Sequence, residues 1–119
     1  SAKRWAMYTI DMEAGRIVIE KEEDGDGSQE TYENFLAQLP PTEGRYCVYD
    51  FEFKMESGAT KNKIFLIVWC PDDAPIKQKM LYASSKDALV KKLNIGGNPV
   101  QGTDFDEVEY GEILKRAQK

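Results

Sequence analysis

Histidine is absent from this chain, and with it go the commonest general base at neutral pH and the commonest transition-metal ligand. The two cysteines, Cys47 and Cys70, share no metal or redox spacing, and neither falls in a nucleophile motif. Both lie in segments that read as strands, which suits buried reduced thiols; a strand-to-strand disulfide is the other reading. There is no GxxxxGK or GxGxxG loop, and Gly96-Gly97 follows a helix where a phosphate loop would precede one. Ser84-Ser85-Lys86 lies mid-helix without the SxxK spacing of serine acyl-enzymes. Asp24, Asp26, Ser28 and Glu30 alternate as calcium ligands do in an EF-hand loop. The turn glycine would then fall on Gln29 and the closing glutamate on Phe35, so a solvated acidic loop fits better. The remaining carboxylate pairs sit in loops or on polar faces. The side chains point away from catalysis and from any cofactor, and toward recognition.

The pattern best suited to recognition lies in Asp72 to Asn94, DDAPIKQKMLYASSKDALVKKLN, the longest periodic stretch. Asp72 and Asp73 suit a helix N-terminus, Pro75 suits a first turn, Lys91 and Lys92 suit a last turn, and Gly96-Gly97 marks the stop. At about 100° per residue, Ala74, Leu81, Tyr82, Ala88, Leu89 and Leu93 gather on one side, assigned to the core. Roughly opposite run Ile76, Met80, Ser84, Asp87 and Lys91. The later members are polar and must face water, so Ile76 and Met80 on the same line should face it too, flanked by Lys77 and Lys79. Two readings fit. Either this is a contact patch for a partner with an apolar groove and acidic edges, or Met80 tucks under a loop and the lysines are ordinary surface.

With 119 residues, 41% hydrophobic and 31% charged, the chain suits a single globular domain, residues 1–119, with one core. The longest apolar run, Ile64 to Trp69, is strand-sized and far short of the roughly 20 residues of a membrane span. No N-terminal signal pattern argues for secretion. A net charge of −5 argues against nucleic acid as the main ligand. The charge is uneven, however. Acids crowd Glu20 to Asp26, while Lys61 and Lys63, Lys77 and Lys79, Lys91 and Lys92, and Lys115, Arg116 and Lys119 form basic clusters suited to an acidic protein or anionic lipid headgroups.

Around the long helix, Trp5 to Ile10 and Arg16 to Glu22 read as a hairpin, and Thr31 to Leu39 as a short helix ended by Pro40-Pro41. Arg45 to Lys54 alternates, with Cys47, Tyr49, Phe51 and Phe53 on one face. Ile64 to Trp69 is apolar on both faces, as a strand covered above and below would be. Asn98 to Gly102 fits a short edge strand. Thr103-Asp104 open a final helix with Val108, Ile113 and Leu114 inward. The order β, β, α, β, β, α, β, α predicts an α/β fold of α+β type, a mixed sheet with helices on both faces and the long helix as a crossover.

RYCVYDFEF (Arg45 to Phe53), KNKIFLIVWCPDDAPIKQKMLYASSKDAL (Lys61 to Leu89) and VQGTDFDEVEY (Val100 to Tyr110) closely resemble the actin-depolymerising factor/cofilin family. The similarity runs from Trp5 onward, and YASSKDAL after a basic segment is specific to that family. The resemblance implies a small, monomeric, non-enzymatic actin-binding domain of the cytoplasm and cytoskeleton, free of cofactors, that binds actin monomers and filaments and promotes severing and depolymerisation. It places a monomer-contacting surface at Ile76, Lys77, Lys79 and Met80. A filament surface falls at Lys61, Lys63, Lys115, Arg116 and Lys119, and anionic phosphoinositides compete at Lys77 and Lys79. The family's usual acidic residue before the arginine of the last helix is Lys115 here, which puts the pairing there in question.

Ahead of Trp5 the sequence leaves no room for the family's first helix and the regulatory serine before it, so Ser1 is not expected to be that serine; the chain is either trimmed or a naturally short form, and a missing helix would expose one sheet face. The rival readings are an actin-binding domain without severing activity, a small α/β enzyme built on carboxylates, and a lipid-binding module.

Overall fold

Alternating residues in β1 (Trp5–Asp11) and β2 (Arg16–Glu23) form an antiparallel hairpin in the computed structural model, which describes residues 3–118. Its tight end is built by Asp11, whose Oδ1 accepts from the N–H groups of Glu13 and Ala14, and by Gly15 at φ 67°. β3 (Arg45–Lys54) pairs antiparallel with β1 on one side and with β4 (Thr60–Trp69) on the other. α2 (Ile76–Leu93) then crosses over, so the short β5 (Val100–Gly102) runs parallel to β4. The sheet order is β2-β1-β3-β4-β5. α1 (Gln29–Leu36) and α3 (Tyr110–Ala117) cover one face and α2 the other, the mixed, doubly covered sheet anticipated above.

Residue parity along the strands sorts the core into two clusters. Trp5, Met7, Cys47, Tyr49, Phe51, Phe53, Phe65, Ile67 and Trp69 point toward α1 and α3 and meet Tyr32, Phe35, Val108 and Ile113. Ile10, Tyr46, Leu66 and Val68 point toward α2 and meet Tyr82 and Leu89. The first face is dense with aromatic pairs, Tyr32 alone standing within 6 Å of Phe35, Tyr49, Phe51 and Tyr110. Its hydroxyl donates to the Val108 carbonyl, joining α1 to the C-terminal segment.

Several boundaries differ from the sequence-based expectations. α1 begins at Gln29, two residues early, because Ser28 caps it by accepting the Thr31 N–H. α2 begins at Ile76 rather than Asp72. Ala74 precedes a proline and is steered out of helical geometry, so Asp72 and Asp73 stand in a turn closed by Ala74 N–H on the Pro71 carbonyl. Its stop is Asn94, in the left-handed region at φ 52° with its N–H on the Val90 carbonyl, and not Gly96-Gly97. The last helix is split. Asp104 and Glu107 form a reciprocal capping box on a 3-10 turn (Phe105–Val108), and extended backbone at Glu109 restarts the chain as α3.

Ala88, assigned to the core side of α2, is exposed; the buried line runs through Tyr82 and Leu89, and Ala88 falls about 120° from it. Ile64 is 49% exposed rather than covered on both faces, and Ile19, opposite Tyr8 on the same side of the sheet, is 54% exposed. The face under α2 is therefore the thinly covered one. Both cysteines are free thiols; Cys47 is buried in β3, whereas Cys70 lies just past β4 and is half-buried. Burial pushes the Cys70 thiol above its ordinary pKa, and the Lys79 charge pulls the other way.

Candidate actin interface

The start of α2 is held to the body by one helix face only. Tyr82 reaches the hairpin, its hydroxyl accepting the Ile10 N–H at 3.3 Å and lying 3.4 Å from Thr9 Oγ1. The Tyr46 hydroxyl donates to the Tyr82 carbonyl, with the two rings 4.9 Å apart. One turn earlier Gln78, on the same side, accepts the Gly44 N–H. The opposite face is free. Ile76 is 73% and Met80 68% exposed, and Ser84, Asp87 and Lys91 continue the exposed line. Lys77 is exposed beside them, and Lys79 is half-buried toward Cys70. Among the described residues no loop covers Met80. Two large apolar side chains thus stand in water on a helix whose other face is anchored, with a lysine on either side: apolar area that a partner could remove from water.

The second basic set gathers elsewhere. Lys61 and Lys63 share the strand parity of Phe65, so they extend from the face covered by α1 and α3. Lys63 stands over the Phe65 ring with its Nζ 5.6 Å from the centroid. Lys63, Lys115 and Arg116 line one open cleft of about 710 Å³, together with Ile64, Leu66, Val90 and Glu112. Lys115 pairs with Glu112 at 3.6 Å along α3, an exposed pair of small energetic weight. Lys119 lies outside the described residues. The two basic sets thus occupy different elements, one at the start of α2 and one where β4 meets α3. The half-exposed Ile64, read from sequence as core, points to the opposite face of the sheet from Lys63 and lines the same cleft at the edge of β4.

The acidic loop has a local use. Asp26 Oδ1 accepts from Ser28 Oγ at 2.5 Å, Thr31 Oγ1 at 2.6 Å and Ser28 N–H at 3.0 Å, and these bonds hold its carboxyl at about 2. Its lone pairs order the entrance to α1. Among the described residues no three His, Cys, Asp or Glu side chains gather as a metal site. The cleft beside Lys63 is lined by one carboxylate, Glu112, and a smaller hollow near Gln29 by one, Glu52. Neither has the converging acids that a carboxylate enzyme needs. No helix among the described residues is long and apolar enough to cross a membrane.

Residues 1–118 match the family described as cofilin/tropomyosin-type actin-binding protein. The cofilin of Mycosarcoma maydis is 41% identical over 116 residues, spanning 98% of this chain and 81% of that protein. Among solved structures, Streptomyces griseoflavus cofilin superposes with a TM-score of 0.85 at 39% identity, covering 98% of this chain and 83% of that one. Plasmodium berghei actin depolymerization factor 2 superposes with a TM-score of 0.83 at 27% identity, covering 96% and 83%.

Proposed function

This chain belongs to the cofilin/ADF family of actin-binding proteins, which are not enzymes, and from that premise we propose that it binds actin through two surfaces. The first is the outward face at the start of α2, Ile76, Lys77, Lys79 and Met80, directed at the actin monomer. The second, Lys61, Lys63, Lys115 and Arg116, with Lys119 beyond the described residues, meets the neighbouring subunit of a filament. The observation that carries the reading is the exposure of Ile76 and Met80 at 73% and 68% on a helix whose opposite face is fixed to the sheet.

A protein that engages two subunits at once favours the filament geometry in which both contacts fit. It shifts the filament population toward that geometry and weakens the bonds of the original one. Severing and depolymerisation follow from that preference, in a cytoplasmic, cytoskeletal setting, with the protein acting as a monomer. Anionic phosphoinositide headgroups compete for Lys77 and Lys79 by the same charge complementarity.

Co-sedimentation with actin filaments tests this, scoring both bound protein and actin left in the supernatant. Binding with released actin is expected. Binding without shortening would remove the severing step and leave a filament-binding domain. A folded chain that binds neither monomer nor filament would refute both surfaces.

A further inference from the structure

The first turn of α2 has little of its own to hold it. Pro75 at the cap makes no side-chain hydrogen bond, no acidic residue lies in the first turn, and Lys77 and Lys79 bring positive charge to the positive end of the helix dipole. Ile76 and Met80 point outward and add no packing. Backbone bonding starts with Lys79 N–H on the Pro75 carbonyl at 3.0 Å, so the N–H groups of Ile76, Lys77 and Gln78 have no partner within the helix.

Inward, the turn makes one specific bond: the Gly44 N–H donates to Gln78 Oε1 at 2.8 Å in a part-buried setting. Gly44 directly precedes β3, and a Cβ on it would stand 2.9 Å from the Tyr82 ring. Gly44, Gln78 and Tyr82 therefore form one close junction between strand start and helix start. Gln78 and Tyr82, four residues apart, share a helix face, while Ile76 and Met80 share the other.

We propose that Gln78 is a positioning residue for the actin-contacting end of α2. Its carboxamide oxygen takes the Gly44 N–H, holds the first turn in helical register and fixes where Ile76, Lys77, Lys79 and Met80 stand. This rests on the reading of that stripe as the binding surface. The uncharged amide suits the place: a carboxylate would accept the same bond but would partly neutralise the lysines on either side. Without an acceptor the Gly44 N–H loses its partner and the turn frays. A surface ordered only part of the time binds more weakly in proportion to that fraction.

The test compares Gln78→Leu, which keeps the bulk without the acceptor, and Gln78→Glu, which keeps the acceptor. Amide exchange on the free protein is expected to speed up at Gly44 and at residues 76–79 in Gln78→Leu and to return to parental rates in Gln78→Glu. Affinity of Gln78→Leu for monomeric actin is expected to fall about three- to tenfold. Unchanged exchange in Gln78→Leu, or faster exchange with unchanged affinity, would overturn the assignment. Met80→Ala run in parallel separates the two levels. If Met80→Ala binds like the parent, the reading of the surface fails; if Met80→Ala weakens binding and Gln78→Leu does not, the role of Gln78 fails.

Discussion

Replacing Met80 by alanine separates a binding residue from a folding residue, because the side chain is already 68% exposed in the free protein. Fully burying a methionine is worth about 1.5–3 kcal/mol. Covering the exposed two-thirds against a partner is then worth about 1–2 kcal/mol, and its loss should weaken binding about five- to thirtyfold. The same truncation removes almost nothing from the core, so unfolding free energy should change by no more than about 0.5 kcal/mol. Leu89 on the same helix is the internal control. It is 4% exposed, and Leu89→Ala should cost about 2–5 kcal/mol of stability. The assay is titration of monomeric actin with each variant, beside urea denaturation of each alone. If Met80→Ala lost more than about 1 kcal/mol of stability while keeping its affinity, Met80 would be a packing residue and the argument from exposure would be refuted.

Three further outcomes are expected. Reversing Lys77 and Lys79 together to glutamate should abolish monomer binding with the circular dichroism spectrum unchanged, whereas reversing Lys61 and Lys63 should spare monomers and weaken filament co-sedimentation; equal losses would merge the two surfaces into one. Gly44→Ala should destabilise the fold by about 1–3 kcal/mol in urea, because its Cβ would meet the Tyr82 ring at 2.9 Å; a neutral result would mean the strand start shifts freely. The Asp26 carboxyl is held at about 2 by the Ser28 and Thr31 hydroxyls, below its ordinary 3.8. A depressed carboxyl stabilises the fold above its unfolded pKa and loses that contribution as pH falls through its folded one. Asp26→Asn should therefore flatten the fall in stability between about pH 4 and 2; acid melts that superpose on the parent's would remove Asp26 from the acid transition.

Periodicity carried most of the architecture. The alternation of Cys47, Tyr49, Phe51 and Phe53 chose the correct face of β3, and the line through Ile76 and Met80 chose the exposed side of α2. What periodicity missed was decided by single residues acting against their neighbours. Pro75 moved the helix start because it constrains Ala74, and Asn94 ended the helix by taking left-handed backbone that composition associates with the glycines nearby. Ile64 was misread because an apolar run does not state which of its members the covering helix leaves open. The Gln78–Gly44 bond joins residues 34 positions apart, and no local pattern signals it. Of the second surface, the strand lysines and the helix cations were separately legible. That Lys63 meets Lys115 and Arg116 around one cleft, while Lys61 does not line it, came from the tertiary packing.

The division of the interior by the sheet gives the two halves of the molecule different mechanical characters. On the side of α1 and α3, Trp5, Tyr32, Phe35, Tyr49, Phe51 and Trp69 interlock with the strands, so that side is the last to let go of its amide protons. On the other, α2 rests mainly on Tyr82 and Leu89 with Leu81, Val90 and Leu93 at its flanks, and its amides are expected to exchange faster than those of the aromatic side. A ligand that grips α2 acts on the more thinly packed side. By mass action it raises the cost of opening that half by its own binding free energy and leaves the aromatic half nearly untouched. The protein would thus enter a complex as a rigid platform carrying one helix whose order is completed by what it holds.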